Sequence, residues 1–166
     1  MAGPTYEPIT TNTLGSSATT ITLSSIPATY TDLRLVLTGK AVTGDDVYIR
    51  FNGDSATNYS VTGMKTFGSN NSSASVQNQQ QIDIDAVGYN LDSSWPQIYA
   101  YDIFAYTSSK YKTVLCKESG MRDTTGANVR AAALWRSTSA ITSISITCNG
   151  SFQASTIVTL WGIKAA

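Results

Sequence analysis

The 166 residues include no histidine, and this absence limits the chemistry that the chain can perform. Without histidine there is no Ser–His or Cys–His pair for nucleophilic catalysis, and the commonest transition-metal ligand is missing. The two cysteines, Cys116 and Cys148, do not form a Cys-x-x-Cys motif for structural zinc. The sequence has neither a glycine-rich phosphate loop with a lysine nor a Gly-x-Gly-x-x-Gly fingerprint. Carboxylates, amides and aromatic side chains remain as candidates for a site.

Two aspartates, Asp83 and Asp85, are spaced two residues apart on a predicted strand. Strand geometry places such a pair on one face, roughly 7 Å apart. Glycosidases use two carboxylates separated by about 5–10 Å. We favour the interpretation that both aspartates lie on a solvated face opposite Ile82 and Ile84, and we do not predict an enzyme. Asp102 lies in a more apolar strand, where we expect it to point outward or to meet an arginine across the sheet.

Five Asx residues with intervening glycines could gather oxygen atoms around calcium. Their spacing does not match a calcium loop such as the EF-hand. Asx residues beside glycine are the usual turn formers, because their side chains bond back to nearby backbone. We therefore predict turns, and no metal or other cofactor. The residues are Asp45, Asp46, Asn52, Asp54 and Asn58.

Nine tyrosines and three tryptophans raise the question of contact with carbohydrate or with a partner protein. Core packing explains most of them, since aromatic residues are favoured in strands and bury a large apolar area. Tyr99, Tyr101 and Phe104 lie on one long predicted strand, and Trp135 and Trp161 lie on predicted strands rich in small apolar residues. Tyr89 and Trp95 belong to a turn over 88–96, where burial is harder. We predict these two as contacts with a neighbouring subunit or ligand.

The composition excludes several classes of protein. Hydrophobic residues make up 42% and charged residues 13%, the formal net charge is zero, and serine and threonine together number 44. A nucleic-acid-binding protein would show a basic patch, and a disordered chain would combine low hydrophobicity with high net charge. No apolar run approaches the roughly 18 residues of a membrane helix, and no secretory signal is recognisable. We expect synthesis in a cytoplasm and two buried free thiols.

Alternating apolar residues over 31–54 provide the strongest structural signal. Strict period-two alternation places one set of side chains on each face of a strand. Two such runs around a turn at 43–45 predict an antiparallel hairpin with one buried face. The alternating positions are Leu33, Leu35, Leu37, Val47, Ile49 and Phe51.

The rest of the chain repeats this design at nearly even spacing. Further strands are predicted over 20–24, 59–67, 82–86, 97–106, 113–118, 129–136, 141–148 and 156–163. Gly63 suggests a bulge in one of them. Two polar stretches, 68–81 and 118–128, are predicted to be exposed loops. Short strands separated by turn signals indicate an all-β fold, an antiparallel β-sandwich that is jelly-roll-like.

The first residues of the chain form a polar segment with little periodicity. Proline cannot donate to a strand ladder, so the segment over 1–14 is predicted to be an extended N-terminal arm or an edge strand. Residues 15–166 then form a single β-sandwich domain. Within the arm, Tyr6, Glu7 and Ile9 are candidate partner-binding residues.

Three motifs carry a resemblance to a known family. They are SIPATYTDLRLVLTG over 25–39, YIRFNGDSATNYS over 48–60 and TLWGIK over 159–164, preceded by TYEPITTNTLG over 5–15. Together they resemble small β-sandwich virion proteins of tailed bacteriophages, and the likeness extends over most of the chain. The RFNGD cluster over 50–54 is the most recognisable piece. None of these motifs is catalytic, and the family pattern does not include the stretch over 68–81.

The resemblance implies a structural component of the outer virion surface. One reading is a capsid decoration (cement) protein whose partners are the major capsid protein and copies of itself in a homotrimer. The alternative is a receptor-binding or tail-fibre tip module that binds host surface carbohydrate. Both readings expect a protein without enzymatic activity, without nucleic acid and without a membrane.

Overall fold

The structure is a computed structural model that describes residues 5–84, 86, 90–122 and 124–164, and the regular elements in these ranges are all strands. No helix that is long and apolar enough to cross a membrane occurs among them. The strands are β1 (Tyr6–Thr13), β2 (Ala18–Leu23), β3 (Asp32–Gly39), β4 (Val47–Phe51), β5 (Tyr59–Phe67), β6 (Asn70–Gln79), β7 (Ile82–Asp83), β8 (Gln97–Ile103), β9 (Lys112–Arg122), β10 (Thr125–Trp135), β11 (Ile144–Phe152) and β12 (Ile157–Ile163).

The strands form two antiparallel sheets that pack against each other as a β-sandwich. One sheet has eight strands in the order β1-β12-β3-β8-β9-β10-β5-β6, and the other has the order β2-β11-β4-β7. If β5, β6, β9 and β10 are set aside, the remaining eight strands, renumbered along the chain, have the orders 1-8-3-6 and 2-7-4-5. This is the strand order of a jelly roll, an eight-stranded sandwich of two Greek keys. The predicted fold class is therefore confirmed.

Two hairpins are inserted into this jelly roll. The β5–β6 hairpin lies between β4 and β7 in sequence, and the β9–β10 hairpin lies between β8 and β11. They join where β5 pairs with β10, and β9 continues the sheet from β8. We call these four strands the extension. Because of the extension, one sheet of the sandwich is twice as wide as the other.

The core lies between the two sheets and is built from the alternating positions. Leu33, Leu35 and Leu37 of β3 and Ile49 and Phe51 of β4 are all fully buried. The predicted hairpin of these two strands is wrong, since β3 pairs with β12 and β8, whereas β4 pairs with β11 and β7 in the opposite sheet. Both strands bury an apolar face in the same core. Alternation predicts this burial, but it does not predict which strand is the hydrogen-bonded neighbour.

Both predicted polar loops prove to be strands. The first, over 68–81, contains β6, which is connected to β5 by a two-residue turn and pairs with it. Gly68 occupies the first central position of that turn with φ of 57°, a conformation that glycine adopts without steric cost. The second, over 118–128, supplies the ends of β9 and β10, which pair through Glu118 with Val129. The strand was not recognised from the sequence because a charged residue, Glu118, takes a buried position on the inner face, where an apolar residue is expected.

Gly63 is not a bulge, because its register with both neighbouring strands is regular. A Cβ atom placed on Gly63 would lie 2.7 Å from the Cβ of Ala131 and 2.8 Å from the carbonyl oxygen of Arg130. The glycine therefore permits close approach of β5 and β10 in the middle of the extension.

An aromatic cluster joins the extension to the sandwich. Trp135 at the end of β10 packs against Phe51 and stacks on Tyr59, with ring centroids 5.4 and 6.3 Å away. Its indole Nε1 donates a 2.7 Å hydrogen bond to Oδ2 of Asp54. The hydroxyl of Tyr59 donates to the carbonyl oxygen of Asp54 and accepts from the backbone N–H of Phe51. Desolvation raises the pKa of the Tyr59 hydroxyl to about 12.

Cys116 and Cys148 are buried thiols that form no disulfide, as the sequence indicated. Burial raises the pKa of the Cys116 thiol, and the neighbouring Asp102 carboxylate adds to this effect. The thiolate is the reactive form. Native protein should therefore not react with a disulfide reagent such as DTNB at neutral pH, and two equivalents should react after unfolding in guanidinium. Rapid labelling of either cysteine in the native state would contradict the described burial.

Candidate binding surface

The candidate site is the outer face of the eight-stranded sheet, which points away from the four-stranded sheet. In the strands of this sheet that bury one face, the inward residues fill the core and the alternate residues form the outer face. No second layer covers it in the described part of the chain, so an uncovered face eight strands wide remains. Large hydrophobic side chains more than one third exposed lie on it or at its margin, namely Met64, Ile98, Leu115, Met121 and Ile157.

An ionic network occupies the centre of the outer face. Asp102 of β8 lies opposite Arg34 of β3, with their side chains 3.3 Å apart, and Lys117 of β9 approaches the other carboxylate oxygen at 3.3 Å. Of the two alternatives predicted for Asp102, pointing outward or meeting an arginine across the sheet, the contact with an arginine is confirmed. The side chain of Asp102 is 15% exposed and those of its two partners about one third exposed, so the pairs lie at the surface of the sheet, where such pairs typically contribute about 0–1 kcal/mol to stability. The network therefore matters more for the charge it displays than for the fold.

A shallow hollow lies beside this network on the extension. Its apolar floor includes Met64, Leu115 and Ala132, and two cations, Lys117 and Arg130, line it as well. Nη1 of Arg130 donates to the side-chain oxygen of the neighbouring Asn128 at 2.8 Å, which fixes one end of the guanidinium. The hollow thus combines exposed apolar atoms with positive charge. This combination suits a partner surface that offers apolar side chains next to carboxylates.

Trp95, a predicted contact residue, is 45% exposed and lines a second hollow. Pro96, Met121 and Asn128 line the same hollow. Two backbone N–H groups, those of Ser94 and Trp95, donate to the carboxylate of Asp92 and hold this turn in place. Tyr89, the other predicted contact residue of the same turn, lies outside the described residues.

The three predicted contact residues of the N-terminal segment have different environments. The segment pairs with β12 as β1, the edge strand of the eight-stranded sheet. Tyr6 is 48% exposed and lines a small hollow with Arg34 and Trp161 on the outer face. Ile9 is partly buried and packs against the core. The hollows of Tyr6 and Trp95 share no lining residue, so the structure does not gather the predicted residues into one site.

Glu7 is held by partners within its own chain. Its carboxylate accepts a 2.7 Å bond from Lys164 and a 3.1 Å bond from the hydroxyl of Tyr30. The hydrogen bond from Lys164 is the main cause that lowers the pKa of Glu7, and the bond from Tyr30 acts in the same direction. Lys164 also lies over the Tyr30 ring, 5.7 Å from its centroid. These contacts fasten β1 to the end of β12.

The carboxylates considered for catalysis or metal binding have structural roles where they are described. Oδ1 of Asp83 accepts from the backbone N–H of Ala86 at 3.0 Å, and Asp85 lies outside the described residues. Asp54 accepts bonds from Asn58, Trp135 and a backbone N–H. Burial acts to raise the pKa of Asp54, but these hydrogen bonds outweigh it and the pKa is lowered. Among the described residues no group of three or more cysteines, aspartates or glutamates could hold a metal ion.

The other Asx residues form turns and clamps, as the sequence indicated. Asn52 adopts a positive φ of 53°, and its side-chain oxygen accepts backbone N–H bonds from Thr142 and Ser143. Its amide nitrogen donates to the carbonyl oxygen of Ala140. The bonds of Asn52 therefore connect the end of β4 to the segment that leads into β11, and Asp54 connects the same turn to the end of β10 through Trp135.

Sequence reasoning did not find the hollow of Met64, Leu115 and Arg130. These residues lie on β5, β9 and β10, which become neighbours only through pairing between the two inserted hairpins. Comparisons with known proteins add no further identification. No family model and no curated protein matches this sequence.

Proposed function

We propose that this chain is a non-enzymatic structural protein of a tailed-phage virion, specifically a capsid decoration protein that binds the outer head surface and stabilises it. The three sequence motifs and the N-terminal segment that precedes them support the family, and the jelly-roll fold is compatible with it. The observation that carries the proposal is the uncovered outer face, eight strands wide, with its exposed hydrophobic side chains. Exposed apolar patches on otherwise polar proteins mark sites of interaction.

The physical basis of binding would be burial of apolar surface, with charge selecting the partner. Covering Met64, Ile98 and Leu115 contributes about 25 cal/mol per Å² of apolar area removed from water. Lys117 and Arg130 would face carboxylates on the head surface, which orient the docking more than they strengthen it. A sheet held by ladders on both sides is already ordered, so little conformational entropy is lost on binding.

The proposal is tested with virions and with heads that lack the protein. Mass spectrometry of purified virions should find the chain in many copies per particle, and purified protein should bind the undecorated heads. Met64→Glu places a charge in the apolar hollow and should abolish that binding. Thr22→Glu places the same charge on the exposed side of β2 in the other sheet, and binding should persist. Absence from heads, or equal binding by the two variants, would reject the proposal.

A second candidate, a receptor-binding or tail-fibre tip module, is favoured by the hollow of Trp95. An exposed aromatic ring next to the amide of Asn128 combines apolar contact with hydrogen bonding, as small-molecule sites do. In this case the chain is present in few copies at the tail, and Trp95→Ala removes binding to host surface glycan while Met64→Glu does not.

A further inference from the structure

Among the described strands, β6 is the last one of the extension, and one of its edges pairs with no other strand. It pairs regularly with β5 from Asn70 opposite Phe67 to Val76 opposite Val61. Antiparallel pairs alternate between those that exchange hydrogen bonds and those that do not. The pair that closes a two-residue hairpin exchanges both bonds, so Asn71, Ser73 and Ser75 direct their N–H and C=O groups away from β5. These groups form a regular row along the free edge of the sheet.

This edge lacks the devices that keep other edges from pairing. Natural edges are protected by charges, prolines, bulges or short length. The opposite edge, β1, contains Glu7 and Pro8 and a register shift beside Pro8. In the smaller sheet β7 has only two residues. The edge strand β2 has six residues, and its last two, Thr22 and Leu23, border a hollow that β1 also lines. The segment 70–76, in contrast, has neither a charged residue nor a proline, and its register is unbroken.

We propose that β6 pairs antiparallel with β6 of a second copy of this chain, around a two-fold axis at Ser73. This register places Ser73 opposite Ser73 and Asn71 opposite Ser75. It uses the three edge-facing residues of the regular segment and ends before the register shift at the far end of β6. The two eight-stranded sheets would then form one continuous sheet of sixteen strands, eight from each copy.

The chemistry of β6 favours a second copy over a partner of different composition. Its side chains are amides, hydroxyls and two small apolar groups. Amides and hydroxyls both donate and accept hydrogen bonds, so each finds a complement in an identical strand. Two copies of an uncharged strand do not repel each other when they pair. The same strand has no charged side chain that would attract a charged partner. An antiparallel edge is also self-complementary around a two-fold axis.

The edge is held in place before any pairing occurs. Arg136, which follows β10, donates to the side-chain oxygen of Asn78 at 3.1 Å and to the hydroxyl of Ser60 at 2.6 Å. At the other end the hydroxyl of Thr66 bonds the side-chain oxygen of Asn71 at 2.9 Å. A strand fixed at both ends loses little entropy on pairing. Since an edge contact alone is smaller than about 1,200 Å², we expect a weak, concentration-dependent dimer.

Disulfide trapping tests the register directly in the purified full chain. In a hydrogen-bonded antiparallel pair the Cα atoms are about 5.5 Å apart, which is within the range that a disulfide spans. Ser73→Cys should therefore give a covalent dimer on mild oxidation. Ser75→Cys alone should remain monomeric, but should cross-link when mixed with Asn71→Cys. The native thiols of Cys116 and Cys148 are buried and do not interfere.

Sedimentation velocity over a concentration series provides the second measurement. The wild-type protein should shift from one to two protomers, and Ser73→Lys should remain monomeric because two lysines would lie opposite each other. Thr113→Lys adds the same charge on the outer face of β9 and should dimerise as the wild type does. Far-UV circular dichroism checks that each variant folds. A wild type that remains monomeric, or a trimer without Ser73→Cys cross-linking, overturns this inference whether or not the protein decorates heads.

Discussion

Trp135→Ala is expected to lower the free energy of unfolding by about 3–5 kcal/mol, the usual cost of truncating a buried tryptophan. Only 1% of Trp135 is exposed, and its ring packs between the aromatic residues Phe51 and Tyr59. The substitution leaves a cavity and removes the Nε1 donor from the carboxylate of Asp54. Domains of ordinary stability have about 5–15 kcal/mol in total, so the loss is a large fraction.

The measurement is urea unfolding followed by far-UV circular dichroism, because the substitution itself changes tryptophan fluorescence. Trp135→Phe retains most of the ring packing and removes the indole N–H. It should cost about 1–3 kcal/mol, the penalty of leaving a hydrogen-bonding group unpaired. Trp95→Ala is the matched control on an exposed tryptophan, and it should change stability by no more than about 0.5 kcal/mol. Equal midpoints for Trp135→Ala and Trp95→Ala would show that the cluster does not stabilise the fold.

The alternation of the sequence predicted the fold class because most strands bury one face. In β3 and β4 every second residue enters the core, and this pattern is what the period-two signal detects. The same signal failed to identify the neighbours of each strand. Leu35 and Ile49 enter one core from opposite sheets, and burial alone is the same in either sheet. The jelly-roll order depends on pairing between strands that are distant in sequence, such as β1 with β12.

The strand β6 shows where periodicity carries no information. Both of its faces meet solvent, and Val76 and Gln79 are its only partly buried residues. Without a buried face there is no alternation for the sequence to display, so a polar edge strand resembles a loop. The available signal was Gly68 at the first central position of a two-residue turn directly after a predicted strand.

The candidate surface was predictable only in part, and the reason is again pairing at long range. Asp102 and Arg34 lie on strands that the sequence identified, and the meeting of an aspartate with an arginine follows from their outward positions. Met64 and Arg130 are directly opposite each other across β5 and β10. The sequence contains no signal that β5 and β10 pair with each other, because each belongs to a different inserted hairpin.

Gly63→Ala is expected to lower the free energy of unfolding by about 1–3 kcal/mol, the range for overpacking a well-packed interior. The added methyl group would lie 2.7 Å from the Cβ of Ala131 and 2.8 Å from the carbonyl oxygen of Arg130. Neither neighbour is the end of a flexible side chain, so relief requires β5 and β10 to separate. These two strands hold the hairpin that carries β6, and their separation would weaken both the hollow of Met64 and the proposed dimer edge.

Gly15→Ala is the matched control, because a Cβ atom at Gly15 meets nothing within 4 Å. It should leave stability unchanged or raise it by about 0.4–1 kcal/mol through reduced freedom of the unfolded chain. Ala131→Gly removes one of the two clashing atoms, so the double variant with Gly63→Ala should be more stable than the sum of the single effects predicts. Residues in contact couple by about 0.5–3 kcal/mol, which chemical denaturation of the four proteins in this cycle resolves. Strict additivity would mean that the two strands are not in the close contact on which the rigidity of the binding surface depends.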